Sequence, residues 1–204
     1  MVDVPRIESR VSAVAHGFKE MRDEAKAIAS ESSVSESLEI AKKLYASESH
    51  QVRMVAVFLL GYIAARSAEA FGILRETVST DGSWQVQVIL AQAFNQYCED
   101  TGYEKGLPII KDWLRDKNPN ARRAVTEGLR IWNRREYFKQ HPDLAVRLLA
   151  KLRDDDSVYV RRSVGNALRD ISKREKELVR QELATWDTSD KRIAFTHALA
   201  SKFL

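Results

Sequence analysis

The chain repeats itself with a period near 35 residues, and this period limits the possible folds more than any other feature. Val52, Val86, Ala121 and Val160 align, each opening an apolar helical pattern, and eight residues later stand Leu60, Phe94, Leu129 and Leu168. Eight residues earlier stand Leu44, Val78, Trp113 and Leu152, near the end of a preceding helix. A degenerate fifth copy places Lys191 and Leu199 in these columns, with Leu183 before them, so successive spacings are 34, 35, 39 and 31 residues. Polar turns at Ser47–His50, Ser79–Gly82, Arg115–Pro119, Asp154–Asp156 and Asp187–Ser189 divide each copy into two helices. Asn118-Pro119 and Asp154 to Ser157 supply helix-start chemistry. A helix pair this short cannot bury both its faces, so the copies must stack.

The predicted fold is all-α: an α-α superhelix, a HEAT-like solenoid of about five helix pairs over residues 34–204. Residues 1–33 are expected to form an N-terminal helix packed on it. Val11, Val14, Phe18, Met21, Ala25 and Ile28 mark the buried stripe of that helix, from Ile7 to Ile28. The segment Asn133 to Asp143, with Tyr137 and Phe138, is expected to pack back on the repeats. Eight glycines and four prolines are few for a β-protein of 204 residues. The lone Cys98 excludes an intramolecular disulfide and any Cys-based zinc site, and a reducing, cytoplasmic compartment is expected. No apolar run approaches the roughly 20 residues that span a bilayer, so no membrane association is expected. His16, His50, His141 and His197 are scattered, without metal-ligand spacing, and no nucleophile motif or Gly-rich phosphate loop occurs. No metal and no cofactor are expected, and the chain is read as a monomer.

A net charge of +4 says little by itself; its distribution says more. Between Asn120 and Arg135, Arg122, Arg123, Arg130, Arg134 and Arg135 flank the single acid Glu127, off an apolar stripe of Ala121, Val125, Gly128, Leu129 and Trp132. Val158 to Lys173 repeats the arrangement, with Arg161, Arg162, Arg169 and Lys173. Two such helices side by side make a basic strip carrying isolated acids. One residue after the aligning position stand Arg53, Gln87, Arg122, Arg161 and Arg192, a cationic ridge suited to phosphate oxygens. The same column equally suits an internal ladder, in which each Arg pairs with an acid of the neighbouring repeat. Gln92, Glu127, Asn166 and Asp170 form a polar ridge beside it. Glu127 can also be the helical partner of Arg123, and Asp170 that of Arg174.

Arg122 to Trp132 (RRAVTEGLRIW) and Tyr159 to Lys173 (YVRRSVGNALRDISK) resemble the DNA alkylation repair family of HEAT-like glycosylases. The resemblance covers residues 34–204 by repeat layout and is specific over residues 84–186. It implies a concave basic surface around damaged duplex DNA and release of N3- or N7-alkylated purines, with carboxylates stabilising an oxocarbenium-like state. Carried over by position, Glu127 and Asp170 are the candidate catalytic acids, and Trp84 and Trp132 the candidate lesion contacts. Arg122, Arg123, Arg130, Arg161, Arg162, Arg169, Lys173, Asn166 and Gln92 become the candidate DNA-binding residues. The family's second helix after Ser-Trp presents an acid within about a turn and a half. Here Ser83-Trp84 runs to Glu99 without one, and Ile89 or its neighbours hold the slot. The family also includes DNA-binding branches without glycosylase activity. The alternatives are therefore a non-catalytic binder of branched, bent or damaged DNA and, from a different class, a protein-interaction scaffold.

Overall fold

The computed structural model describes residues 3–132 and 135–204; the side chains of residues 131 and 132 are outside the description. Among the described residues there are thirteen α-helices, two short 3-10 turns and no strand. The chain divides into two compact units, residues 1–102 and 103–204.

The first unit contains α1 (Val4–Val11), α2 (Lys19–Glu31), α3 (Val34–Tyr45), α4 (His50–Ile63), α5 (Ala68–Glu76) and α6 (Trp84–Thr101). Helix α4 is its centre: α2, α3, α5 and α6 all pack on it, and its residues from Met54 to Gly61 are buried without a break. The pattern from Ile7 to Ile28 is two helices rather than the single one expected. Gly17, at φ +86°, turns the chain between α1 and α2 in a conformation that side-chain-bearing residues rarely adopt. The apolar spacing runs through the break because both helices, and Phe18 between them, face α4; the Phe18 and Phe58 rings lie 6.1 Å apart.

The second unit contains α7 (Tyr103–Trp113), α8 (Pro119–Trp132), α9 (Glu136–Gln140), α10 (Pro142–Ala150), α11 (Val158–Ser172), α12 (Lys176–Leu183) and α13 (Lys191–Ala200). Here α11 is central, packed against α8, α10, α12 and α13. Phe138 of α9 is fully buried, edge-on to Tyr103 at 5.6 Å, so the segment folds back in its described part, residues 135–143; residues 133 and 134 lie outside the described residues. Trp113 belongs to the core. Trp186 is buried too, its indole N–H donating to the Glu182 carboxylate at 2.9 Å.

Five helix pairs follow the predicted period: α3/α4, α5/α6, α7/α8, α10/α11 and α12/α13. Ser49, Ser83, Ser157 and Asp190 occupy the N-cap position of the second helices α4, α6, α11 and α13. This register corrects the fifth copy by two residues. Ile193, which is buried, fills the aligning column, and exposed Lys191 opens the helix. Arg192 consequently leaves the column of Arg122 and Arg161. Second helices approach closely where glycine permits: a Cβ on Gly61 would lie 2.8 Å from the Ala93 backbone, and one on Gly165 2.9 Å from the Thr196 carbonyl oxygen. No helix among the described residues is long and apolar enough to cross a membrane.

Candidate functional site

The column following the aligning residue is a structural ladder. Arg53 donates to Asp81 at 2.7 and 3.2 Å and to the carbonyls of Ser47 and Glu48 at 3.0 and 2.9 Å. Arg122 does the same one unit on: Asp155 accepts at 2.6 and 2.7 Å, and the carbonyls of Asp116 and Lys117 at 2.7 and 3.1 Å. Arg161 holds the carbonyls of Asp155 and Asp156. Where the column carries Gln87, its amide donates to Val78 and Asp81 carbonyls at 2.9 and 2.8 Å. Each long donor thus ties down the turn before its own helix, satisfying carbonyls of that turn. Of the two readings open in the sequence, Arg122 takes the internal one, paired with Asp155 of the neighbouring repeat. Arg161 is held by the carbonyls of its own turn and forms no ion pair among the described residues.

The turns of this ladder carry a sequence signal. Ser47, Asp81, Asp116 and Asp155 each stand five residues before the aligning position, and each side chain accepts the backbone N–H two residues on, at 3.1, 2.8, 2.9 and 2.9 Å. Asp81 also accepts from the Tyr45 hydroxyl at 3.0 Å. Burial would raise the Asp81 pKa, but the hydrogen bonds from Arg53, Ser83 and Tyr45 outweigh it and hold the carboxyl below its ordinary range. Its stabilising effect is therefore complete above the unfolded carboxylate pKa, about 3.9, and fades as pH falls through the lower folded value. Asp81→Asn is expected to lower stability at pH 7 and to flatten the acid limb of a denaturation-midpoint profile. An acid limb as steep as the wild type's would contradict this role.

The basic strip itself lies on α8 and α11. At about 100° of rotation per residue, the positions of Arg123, Arg130, Arg162, Arg169 and Lys173 fall on one side of their helices, opposite the buried stripe. At its centre Arg130 bridges the two helices. It donates to Glu127 at 2.9 Å and to Asp170 at 3.1 and 3.0 Å. Arg169 and Lys173 also reach Asp170, at 3.4 and 3.2 Å, and Arg123 reaches Glu127 at 3.9 Å. Asp170 is thus held by three cations, none of them Arg174, its alternative helical partner. Burial works against the Asp170 charge, yet the bonds from Arg130 and Lys173 prevail and depress its pKa. Phe203, near the chain end, lies against this group with its ring 5.7 Å from Arg169 and 5.2 Å from Lys173. No periodicity pointed to that ring. Under the strip, the Thr126 hydroxyl donates to Ser163 at 2.7 Å in the buried seam of α8 and α11. Arg162 is exposed and forms no ion pair among the described residues, and the half-buried Asn166 has no side-chain partner among them.

The remaining candidates lie in the first unit or outside the description. Gln92 is half-buried on α6. Trp84, the first residue of α6, is 70% exposed and lines a cavity of about 280 Å³ with Phe18, Met21, Met54, Val88 and Ile89. Ile89 is fully buried, so the slot where the resemblance expects an acid is filled by core. The Trp132 side chain lies outside the described residues. No group of three or more His, Cys, Asp or Glu suited to a metal ion occurs among the described residues.

The model of the family described as "DNA alkylation repair enzyme" matches residues 12–201. A crystal structure of AlkD2 from Streptococcus mutans is 46% identical, covers 98% of this chain and 97% of its own, and superposes with a TM-score of 0.96. The structure of smu.31 from Streptococcus mutans UA159 is 44% identical over 98% and 97% of the two chains, with a TM-score of 0.93. The uncharacterized protein YhaZ of Bacillus subtilis (strain 168) is 29% identical over 166 residues. That match takes in 67% of this chain but only 46% of YhaZ, so the chain spans about half the length of this relative.

Proposed function

The chain belongs to the DNA alkylation repair enzyme family, and from this premise we propose that it binds duplex DNA, damaged or branched, without excising a base. The proposal extends to a monomer acting in the cytoplasm. One observation carries it: around Glu127 and Asp170 stand four cations, Arg123, Arg130, Arg169 and Lys173. Such a group has a net positive field. It attracts a phosphate backbone, and it opposes the positive charge that grows on deoxyribose as a glycosidic bond breaks. The two carboxylates act here as anchors, holding the Arg130 guanidinium across α8 and α11 where its remaining face can meet phosphate oxygens. The buried Ile89 supports the same reading, since that slot supplies no anion.

Excision of N3- or N7-alkylated purines is the second reading. It is favoured by the exposed Trp84 ring beside a cavity that Phe18, Met54 and Val88 line together with His16, His50 and Gln51, a surface on which a lesion or sugar can stack. A base-release assay separates the two. Methylated duplex incubated with excess protein is expected to be retained in a gel shift while free 7-methylguanine stays at the level of spontaneous depurination. Release above that level, abolished by Asp170→Asn, would replace the binding-only account with the catalytic one.

A further inference from the structure

The first unit carries a second group of cations that neither the ladder nor any ion pair among the described residues uses. Arg22 and Lys26 stand four residues apart on α2, and Arg66 follows α4; all three are exposed and line one open groove with Tyr62 and Gln96. Like charges at this helical spacing repel, so the pair weakens α2 rather than supporting it. Neighbouring acids are engaged elsewhere: Asp23, also in the groove, pairs with Lys19 at 2.6 Å, and Glu24 with Arg10 at 2.6 Å. Arg66 reaches only the Tyr62 carbonyl, at 3.5 Å. Tyr62 is half-buried and its hydroxyl has no partner among the described residues; burial raises its pKa and keeps it a hydrogen-bond donor. Asp100 is the one acid of the groove held by no cation, its carboxylate accepting from the Gln96 amide at 2.9 Å.

We propose that this groove is a phosphodiester track, in which Arg22, Lys26 and Arg66 contact backbone oxygens and Tyr62 donates a hydrogen bond. The inference rests on the DNA-binding reading and adds to it a contact surface within the first unit. Asp100 sets the sign of a second effect, because a carboxylate on such a track repels phosphate.

The test is fluorescence anisotropy of a labelled duplex with the full chain, from about 50 to 200 mM salt. Three proteins are compared: wild type, the triple variant Arg22→Gln/Lys26→Gln/Arg66→Gln, and Asp100→Asn. The triple variant is expected to bind at least about tenfold more weakly at low salt, and its slope of log affinity against log salt to be shallower by about 2 to 3. Asp100→Asn is expected to bind a few-fold more tightly, an effect of opposite sign that a misfolded variant does not produce. If wild type binds duplex while both variants match it in affinity and slope, the groove assignment is overturned and DNA binding stands. A wild type that binds no duplex overturns both.

Discussion

Replacing Arg123, Arg162 and Lys173 together by glutamate is expected to weaken duplex binding at least about a hundredfold near 0.1 M salt. The change removes three cations from the outward side of α8 and α11 and puts three anions beside Glu127 and Asp170. Arg162 and Lys173 are exposed, and Arg123 makes only a 3.9 Å contact with Glu127, so the fold is expected to persist. Anisotropy titration checks the affinity, and circular dichroism checks the fold. The contrasting pair Arg122→Gln/Arg161→Gln removes one formal charge from each of α8 and α11, at groups that hold the turns of the ladder. It is expected to lower stability far more than affinity. A folded triple variant within about threefold of wild-type affinity would remove α8 and α11 from the interface.

The largest single effect on stability is expected for Asp155→Ala, at about 3 kcal/mol. The Asp155 side chain is 5% exposed and accepts from Arg122 twice and from the Ser157 amide. Its loss leaves a guanidinium of 14% side-chain exposure without its counter-charge and frees the turn that opens α11. At this chain length such a loss corresponds to about 6–12 °C in Tm. Because Arg122 and Asp155 act as one unit, Arg122→Ala/Asp155→Ala is expected to cost little more than either change alone. Urea denaturation of the four proteins completes the cycle. A cost below about 0.5 kcal/mol for Asp155→Ala, the range of ordinary surface substitutions, would remove the ladder as a source of stability.

What was legible beforehand was what is local in the chain. Helix pairs, their turns and the core stripes depend on neighbours three or four positions apart, and they follow the period from Leu44 to Leu183. Side-chain destinations were not legible in the same way. Arg122 and Arg123 are adjacent and alike, yet one turns to Asp155, 33 residues on, and the other stays on the outward side. Arg130 meets Asp170 across 40 residues, a pairing set by how α8 lies on α11. The register of the fifth copy is obscured because Thr196 and His197 blur the apolar stripe of α13, whereas the N-cap Asp190 fixes it. The break at Gly17 was hidden because apolar residues on both sides of it face α4.

In the proposed function the outward side of α8 and α11 holds DNA by charge, with the carboxylates organising the cations. Duplex affinity of the wild-type chain measured across salt concentration tests it most directly. Four cations at the site, each meeting a phosphate, predict a slope of log affinity against log salt of about −3 or steeper. Absence of binding at about 50 mM salt, or an affinity insensitive to salt, would contradict it.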